Sequence, residues 1–477
     1  GSEMCIRDSP TPVYLTGIGL PSLAIAALLV WFAVSAGGSF GQILWVAVLG
    51  FFAAMNWVSQ IVNWIVTQVK APRILPKMDF EEGISPDFPA MVVMPVLLAD
   101  EQSIHSVVKQ LEMHYLRNPD PRLSFALLTD FGDAPKQHME EDELLLEEIK
   151  AQIQNLNQRY RREGSAPFFL FHRERRWNST EGVWMGWERK RGKLHEFNRL
   201  ILGEKETSFT VQLGDQEASS RIRYVITLDA DTILPSSRAQ RLVAAMAHPL
   251  NRPVFDEQTG RVVAGYTILQ PRTEIDIRSA NQSFFTRIFA GDAGLDLYTL
   301  AVSDVYQDLF GEGIYVGKGI YDVEAFERSL CGRVPENALL SHDLFEGING
   351  RVALVTDITL IEDYPPNYLA YAFRNHRWMR GDWQLLPWLL PRVPSESSQK
   401  IPNRFSWISR WKIIDNLRRS LLSPLLLLFL ILGWTYLPGS PSVWTAAVFF
   451  ALSGSLLTEV ISSTVRIFQG ETGRQAW

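Results

Sequence analysis

Residues 10–69 carry no Asp, Glu, Lys or Arg, and residues 420–458 again carry none, while nearly every ionisable group lies between them. A helix that crosses a bilayer needs about 20 consecutive apolar residues, so each charge-free stretch is long enough for two. The first divides at Gly37-Gly38-Ser39 into spans over 14–36 and 42–67. The second divides at Pro438-Gly439-Ser440-Pro441 into spans over 421–436 and 443–457. Four such runs, paired at the two ends of one chain, are hard to bury in a single water-soluble globule, the alternative reading. A cleaved signal peptide does not fit either, because a second apolar run follows the first at once. Lys70, Arg73 and Lys77 follow the second span, Arg410, Lys412, Arg418 and Arg419 precede the third, and both hairpin loops are uncharged. By the positive-inside rule the central region is cytoplasmic.

The boundaries that follow are transmembrane helices in 13–69, a cytosolic domain over 70–403 and transmembrane helices in 420–465. Between the last two, residues 404–419 set Trp407, Trp411, Ile414 and Leu417 at helical spacing among basic residues, the pattern of a helix lying in the membrane interface. An amphipathic core helix is the alternative. Residues 1–9 read as a non-native remnant, and 466–477 as the start of a longer downstream region. Net charge is −6, from 46 basic and 52 acidic residues, which supplies no basic excess for binding nucleic acid. Two cysteines, Cys5 and Cys331, cannot build a disulfide framework or a four-cysteine zinc site.

Within the central region, apolar runs at 90–98, 123–129, 168–171, 223–228, 262–269 and 352–361 read as strands, and 103–116 and 140–160 as helices. Such alternation implies an α/β domain with a mostly parallel sheet, whose ligands bind beyond the carboxyl ends of the strands. The residues there are acidic. Asp130 and Asp133 follow the second strand, and Asp229-Ala230-Asp231 follows the run Tyr224-Val225-Ile226-Thr227-Leu228. Two carboxylates flanking one small residue at a strand end suit Mg2+ or Mn2+, which leave positions open for a diphosphate. Asp229 and Asp231 are therefore the candidate metal ligands, with a solvated turn as the plain alternative.

The order of these motifs resembles the processive, inverting glycosyltransferases of the cellulose and chitin synthase type, and more closely the glycosyltransferase region of cyclic β-1,2-glucan synthases. The residues that carry the likeness are Trp184-Met185-Gly186-Trp187-Glu188-Arg189-Lys190-Arg191-Gly192-Lys193, the segment ending in Asp229-Ala230-Asp231, Gly311-Glu312-Gly313-Ile314-Tyr315, and Arg377-Trp378-Met379-Arg380-Gly381-Asp382-Trp383-Gln384. The resemblance covers nearly all of 15–477. It implies a nucleotide-sugar-binding GT-A-like domain, a mixed and mostly parallel sheet, inserted between transmembrane helix pairs of a bacterial inner membrane protein. A phosphorylase-like part of that family has no counterpart in this sequence.

Residue by residue, the resemblance places Lys193 on the nucleotide diphosphate, Pro95 and Asp130 near the base or ribose, and Asp229 on the nucleotide sugar as well as the metal. A solvated basic run is the alternative for Lys193. The general base of the synthases sits in a Thr-Glu-Asp motif, matched here by Ser341-His342-Asp343, so Asp343 is the candidate, with a helix-capping aspartate as the alternative. His342 departs from the pattern, and Glu346 stands close in sequence. The last synthase motif, Gln-x-x-Arg-Trp, reads Arg374-Asn375-His376-Arg377-Trp378 in this sequence. Arg377 and Arg380 are candidates for holding the leaving diphosphate. Trp378, and less strongly Trp383, is a candidate for stacking on the acceptor, with interfacial anchoring as the alternative for tryptophans near the membrane. The glycine-rich 311–320 matches an acceptor-side loop, and Tyr160 is a candidate primer tyrosine. The expected activity is inverting transfer of glucose from UDP-glucose to a growing β-1,2-glucan. The rivals are synthesis of another β-linked polymer, or a non-catalytic membrane module that binds nucleotide sugar or glucan.

Overall fold

The computed structural model describes residues 10–161, 166–290, 304–339, 341–397 and 399–468. The expected remnant 1–9, Leu340 of the Thr-Glu-Asp-like segment and most of 466–477 lie outside them. The chain forms two compact units. One comprises residues 1–72, 297–310 and 404–477, the other 73–296 and 311–403.

In the first unit, α1 (Pro10–Ser35) and α2 (Phe40–Val69) are each long and apolar enough to cross a membrane. The second unit follows in sequence and is built on nine strands in the order β6-β3-β2-β1-β7-β12-β11-β13-β8. Its first element, β1 (Ala90–Leu98), leads into α3 (Glu101–Arg117), which opens on a capping box between Asp100 and Ser103. Next come β2 (Leu123–Phe131), α4 (Asp142–Arg159) and β3 (Phe168–Arg173). A small hairpin, β4 (Arg176–Asn178) and β5 (Val183–Met185), precedes α5 (Arg189–Ile201) and β6 (Phe209–Leu213). Then follow β7 (Tyr224–Thr227), β8 (Thr232–Ile233) and α6 (Arg238–Ala247). The two-stranded β9 (Val254–Phe255) and β10 (Val262–Ala264) precede β11 (Ile268–Ile275), β12 (Gly319–Asp322) and α7 (Val323–Leu330). The unit closes with α8 (Asp343–Gly350), β13 (Val352–Glu362) and α9 (Tyr368–Gln384).

The longest ladders, β1 with β2, β2 with β3 and β11 with β13, are parallel; β6, β12 and β8 run antiparallel to their neighbours. This is the mixed, mostly parallel sheet of a GT-A-like fold. Helices cover both faces, which is why β1 reads as an unbroken apolar run. Val92 and Met94 pack with Ile104 and Leu111 of α3, Ile149 of α4 and Leu242 of α6, while Met91 and Val93 pack with Leu194 and Phe197 of α5 and Phe326 of α7. The run expected as one strand over 262–269 is two pieces. Gly265 separates them at φ +63°, where a Cβ would collide with the Arg252 carbonyl, so only glycine lets the chain turn there.

Returning to the first unit, α10 (Trp407–Thr435) runs without interruption through both the expected interface segment and the third expected span. Its charges turn into the helix bundle: Arg418 donates to Asn56 at 3.0 Å and to Asp415 at 2.6 Å. The fourth expected span is a pair, α11 (Pro441–Leu452) and α12 (Gly454–Phe468), bent by 54°.

Candidate active site

The carboxyl ends of β1, β2 and β7 lie beside the start of α5, whose first turn holds Arg189, Lys190 and Arg191 and no acid, with Lys193 the next residue after it. Each cation at a helix N-terminus opposes the helix dipole by about 0.3–1 kcal/mol, so every one needs an anion. Arg189 pairs with Asp133 and Glu181, Arg191 with Glu188, Lys193 with Asp130 and Lys190 with Asp229. The entry to this turn is held in the left-handed region at Glu188 and Arg189, φ +52° and +51°, a strain of order 1–3 kcal/mol per residue that only firm surroundings sustain.

Asp130 and Lys193 meet inside a buried network. Arg173 clamps the Asp130 carboxylate through Nε at 2.7 Å and Nη2 at 2.9 Å and reaches Glu196 at 2.8 Å. Lys193 Nζ lies 3.0 Å from Asp130 and donates to the Val96 carbonyl at 2.7 Å, next to Pro95 in β1. Asp130 is 2% exposed. Burial opposes its charge, but Lys193 and Arg173 outweigh burial and hold its carboxyl below the usual value. Burial pushes Lys193 down to about 8 against the pull of Asp130. A solvated basic run is therefore not what Lys193 belongs to.

Asp229 lies between two lysines. Lys190 Nζ is 2.5 Å from its Oδ1 and 3.0 Å from the Gly317 carbonyl, and Lys318 Nζ is 3.3 Å from its Oδ2 and 2.6 Å from Glu362. Burial works against the charge of Asp229, yet the two lysines keep its carboxyl low. Thr232 and Ile233 pair with Glu362 and Ile361, which pins the Asp229-Ala230-Asp231 turn to the end of β13. Asp231 is exposed. Beside it the carboxyl of Asp363 is raised, first by burial and then by the charges of Asp231 and Asp276. The raised Asp363 carboxyl marks an excess of negative charge at this strand end. Asp229 and Asp231 are oxygen donors of the kind a hard divalent cation takes, and such an ion would displace a lysine from Asp229.

Asp343 stands in the first turn of α8. The cap position belongs to His342, so the helix-capping alternative for Asp343 does not hold. Gly317, at φ +81°, comes so near that a Cβ would stand 2.6 Å from Asp343 Oδ1. Because Lys190 holds the Gly317 carbonyl, Asp229 and Asp343 flank the same short loop. His342 and Glu346 are both buried beside Asp343.

On α9, Gly381 is packed against Ser341 with no room for a side chain, which fixes the helix beside the Asp343 segment. Arg374, at the synthases' glutamine position, lies over the Trp378 ring at 4.8 Å and the Tyr364 ring at 5.5 Å. Arg377 and Arg380 are exposed. Arg380 and Trp383 line an open groove of about 470 Å3 with His376, Met379 and Gln384. Tyr160 is elsewhere. Its hydroxyl donates to Glu112 at 2.7 Å and its ring packs on Phe168, which pairs with Phe125 at the opposite end of β2 from Asp130.

Sequence reasoning missed Lys190, Lys318, Arg173 and Glu362 as site residues. Arg173 and Glu362 sit where strands end, the signal already used for the aspartates, and Lys190 stands three residues before Lys193 in the same basic run.

No family model matches the chain. Over 393 residues, 82% of its length, the chain is 44% identical to cyclic β-(1,2)-glucan synthase NdvB of Rhizobium meliloti (strain 1021). Over 217 residues, 44% of its length, it is 28% identical to glucans biosynthesis glucosyltransferase H of Bradyrhizobium diazoefficiens. It spans 14% of the first protein and 26% of the second. Across most of its length, then, this chain is a relative of one segment of a cyclic β-(1,2)-glucan synthase.

Proposed function

We propose that the chain is an inverting glycosyltransferase of a bacterial inner membrane, which moves glucose from UDP-glucose to a growing β-1,2-glucan on the cytoplasmic side and works with downstream domains of a longer protein. The observation that carries this reading is the single loop, Gly317-Lys318, that has Asp229 on one side and Asp343 on the other. An inverting transfer needs a carboxylate to take the acceptor proton and, opposite it, cations to receive the leaving diphosphate. Asp343 takes the acceptor hydroxyl proton as that oxygen bonds to the sugar carbon and the bond from that carbon to the diphosphate breaks. Lys190 and Lys318 receive the diphosphate charge, and Arg374, Arg377 and Arg380 of α9 add donors that match phosphate oxygens in pairs. A Mg2+ or Mn2+ ion held by Asp229 and Asp231 would neutralise part of the same charge. Trp378 and Trp383 offer ring faces to the acceptor sugar. Tyr160, after α4, packs on Phe168 at the other end of the sheet from Asp130, and this reading gives it no step at Asp343.

The test is turnover of radiolabelled UDP-glucose by membranes containing the chain, with linkage analysis of the product. A β-1,2-linked product lost with EDTA, and a fall of about 10²–10⁴ in turnover for Asp343→Asn, are expected. Full activity of that variant refutes the base. A 1,4-linked product refutes the glucan assignment.

A further inference from the structure

His342, Asp343 and Glu346 bring one nitrogen and two oxygen donors within 4.8 Å of one another. His342 is 5% exposed and Glu346 likewise 5%. His342 Nδ1 lies 2.8 Å from Glu346 Oε1 and 3.6 Å from Asp343 Oδ1. The 2.8 Å contact is an ion pair whose angle is poor for a hydrogen bond, so the buried Nδ1 faces Glu346 without a well-aligned bond to either carboxylate. Buried polar atoms are nearly always satisfied, and a cation shared by the imidazole nitrogen and the two carboxylates would satisfy this donor set better than the poorly aligned pair does. Among the described residues, the one ion-pair neighbour of Glu346 is that same histidine. Asp229, by contrast, already holds two ammonium groups.

We infer that His342, Asp343 and Glu346 form a divalent-cation site separate from Asp229 and Asp231, selective for a transition-metal ion such as Mn2+, Co2+ or Zn2+. An imidazole nitrogen with two carboxylates suits these ions, whereas Mg2+ and Ca2+ prefer oxygen alone. Donors bonded to one ion at about 2.1 Å stand at most about 4.2 Å apart, so small side-chain rotations close the set observed. His342, at the cap of α8, and Glu346 on its first turn are four residues apart in sequence, so one short stretch of backbone carries both ligands. Asp343, with 28% of its side chain exposed, leaves the ion open to water on its outer side. Gly317 approaches the Asp343 carboxylate with backbone and no side chain. On the transferase reading above, an ion in this site withdraws Asp343 from proton transfer; the site itself does not depend on that reading.

The test is pulsed electron paramagnetic resonance of the full chain in detergent, loaded with Mn2+ alone. Asp229 and Asp231 supply only oxygen, so nitrogen modulation of the Mn2+ echo reports the new site. One imidazole nitrogen is expected in the wild type and in Asp229→Asn, and none in His342→Gln. Glu346→Gln should weaken Mn2+ binding by about tenfold or more and serves as the second variant if His342→Gln does not fold, as judged by circular dichroism. Bound Mn2+ without nitrogen modulation in the wild type, modulation that survives His342→Gln, or unchanged Mn2+ affinity in Glu346→Gln each overturns the proposal.

Discussion

Replacing Asp130 with Asn separates two roles for this carboxylate, holding a nucleotide or holding the sheet end together. The side chain accepts from Arg173 Nε at 2.7 Å, from Arg173 Nη2 at 2.9 Å and from Lys193 at 3.0 Å, almost wholly out of water. The amide keeps the shape and removes the charge, so two buried cations are left with Glu196 as their remaining near anion. Removing one partner of a buried pair costs about 3–5 kcal/mol, because the stranded charge remains desolvated. In a unit of this size each kcal/mol moves the thermal midpoint by roughly 2–4 °C, so Asp130→Asn should unfold roughly 10 °C earlier by circular dichroism in detergent. Adding Lys193→Met removes one stranded cation, and the double variant should be more stable than Asp130→Asn alone. The pH dependence has a definite sign. A lysine whose folded pKa lies below its unfolded value binds fewer protons folded than unfolded, so stability rises with pH between the two. For the wild type that window runs from about 8 to the ordinary 10.5. Without Asp130 it opens lower, and the deficit of the variant should narrow between pH 7 and 9. An unchanged midpoint together with a raised KM for UDP-glucose would refute this reasoning and give the carboxylate to the donor.

Gly381→Ala should push α9 off Ser341, since no Cβ fits there; overpacking of this kind costs about 1–3 kcal/mol, and turnover should fall more than stability. Native turnover would show that α9 does not position the site. His114 and His172 are each pushed down to about 4, mainly by burial, and stay neutral in the fold. The unfolded chain then binds more protons between pH 6.5 and 4, so stability should fall across that window by up to roughly 3 kcal/mol per histidine at its acid end, and His172→Gln should flatten the dependence. Arg374→Gln, which restores the synthases' residue, removes a guanidinium from between Tyr364 and Trp378 and should raise KM for the acceptor more than for UDP-glucose.

The helices of the first unit and the parallel strands of the second unit's main sheet were legible because their signal is local, whereas the antiparallel β6, β8 and β12 were not read. Absence of charge over 10–69 needs no tertiary context, and β1 reads as a continuous apolar run because both of its faces are covered. The break at Gly265 was not legible: the strand pattern continues through it, and what forbids a straight strand is the carbonyl of Arg252, remote in the pairing sense. The continuity of α10 was hidden because an amphipathic stretch and an apolar one look like two objects in sequence. Arg418 of the amphipathic stretch packs inward against Asn56, and the same helix runs on into the apolar stretch. At the site, acids after strands could be found one by one, but their partners could not. Nothing in 189–193 says which lysine meets which aspartate. That choice is made by the offset of the strand ends, since β2 continues to Phe131 beside β1 whereas β7 ends at Thr227, opposite Val93.

Two lysines on Asp229 also carry a functional consequence. Lys190 divides itself between Asp229 and the Gly317 carbonyl, and Lys318 between Asp229 and Glu362. An anion arriving beside the turn can draw either ammonium away while the other still covers the carboxylate, so neither step strands a bare charge. One charge-assisted hydrogen bond contributes about 1.5–3 kcal/mol, which is roughly ten- to a hundredfold in kcat/KM. If the lysines were independent, Lys190→Met and Lys318→Met would add. Because they share one carboxylate, each single variant leaves a lysine free to serve the diphosphate, and the double variant loses both this charge and the one that balances Asp229. Lys190→Met/Lys318→Met should therefore lose more kcat/KM for UDP-glucose than the product of the single losses. Strict multiplicativity would show that the two ammonium groups do not act on the same anion.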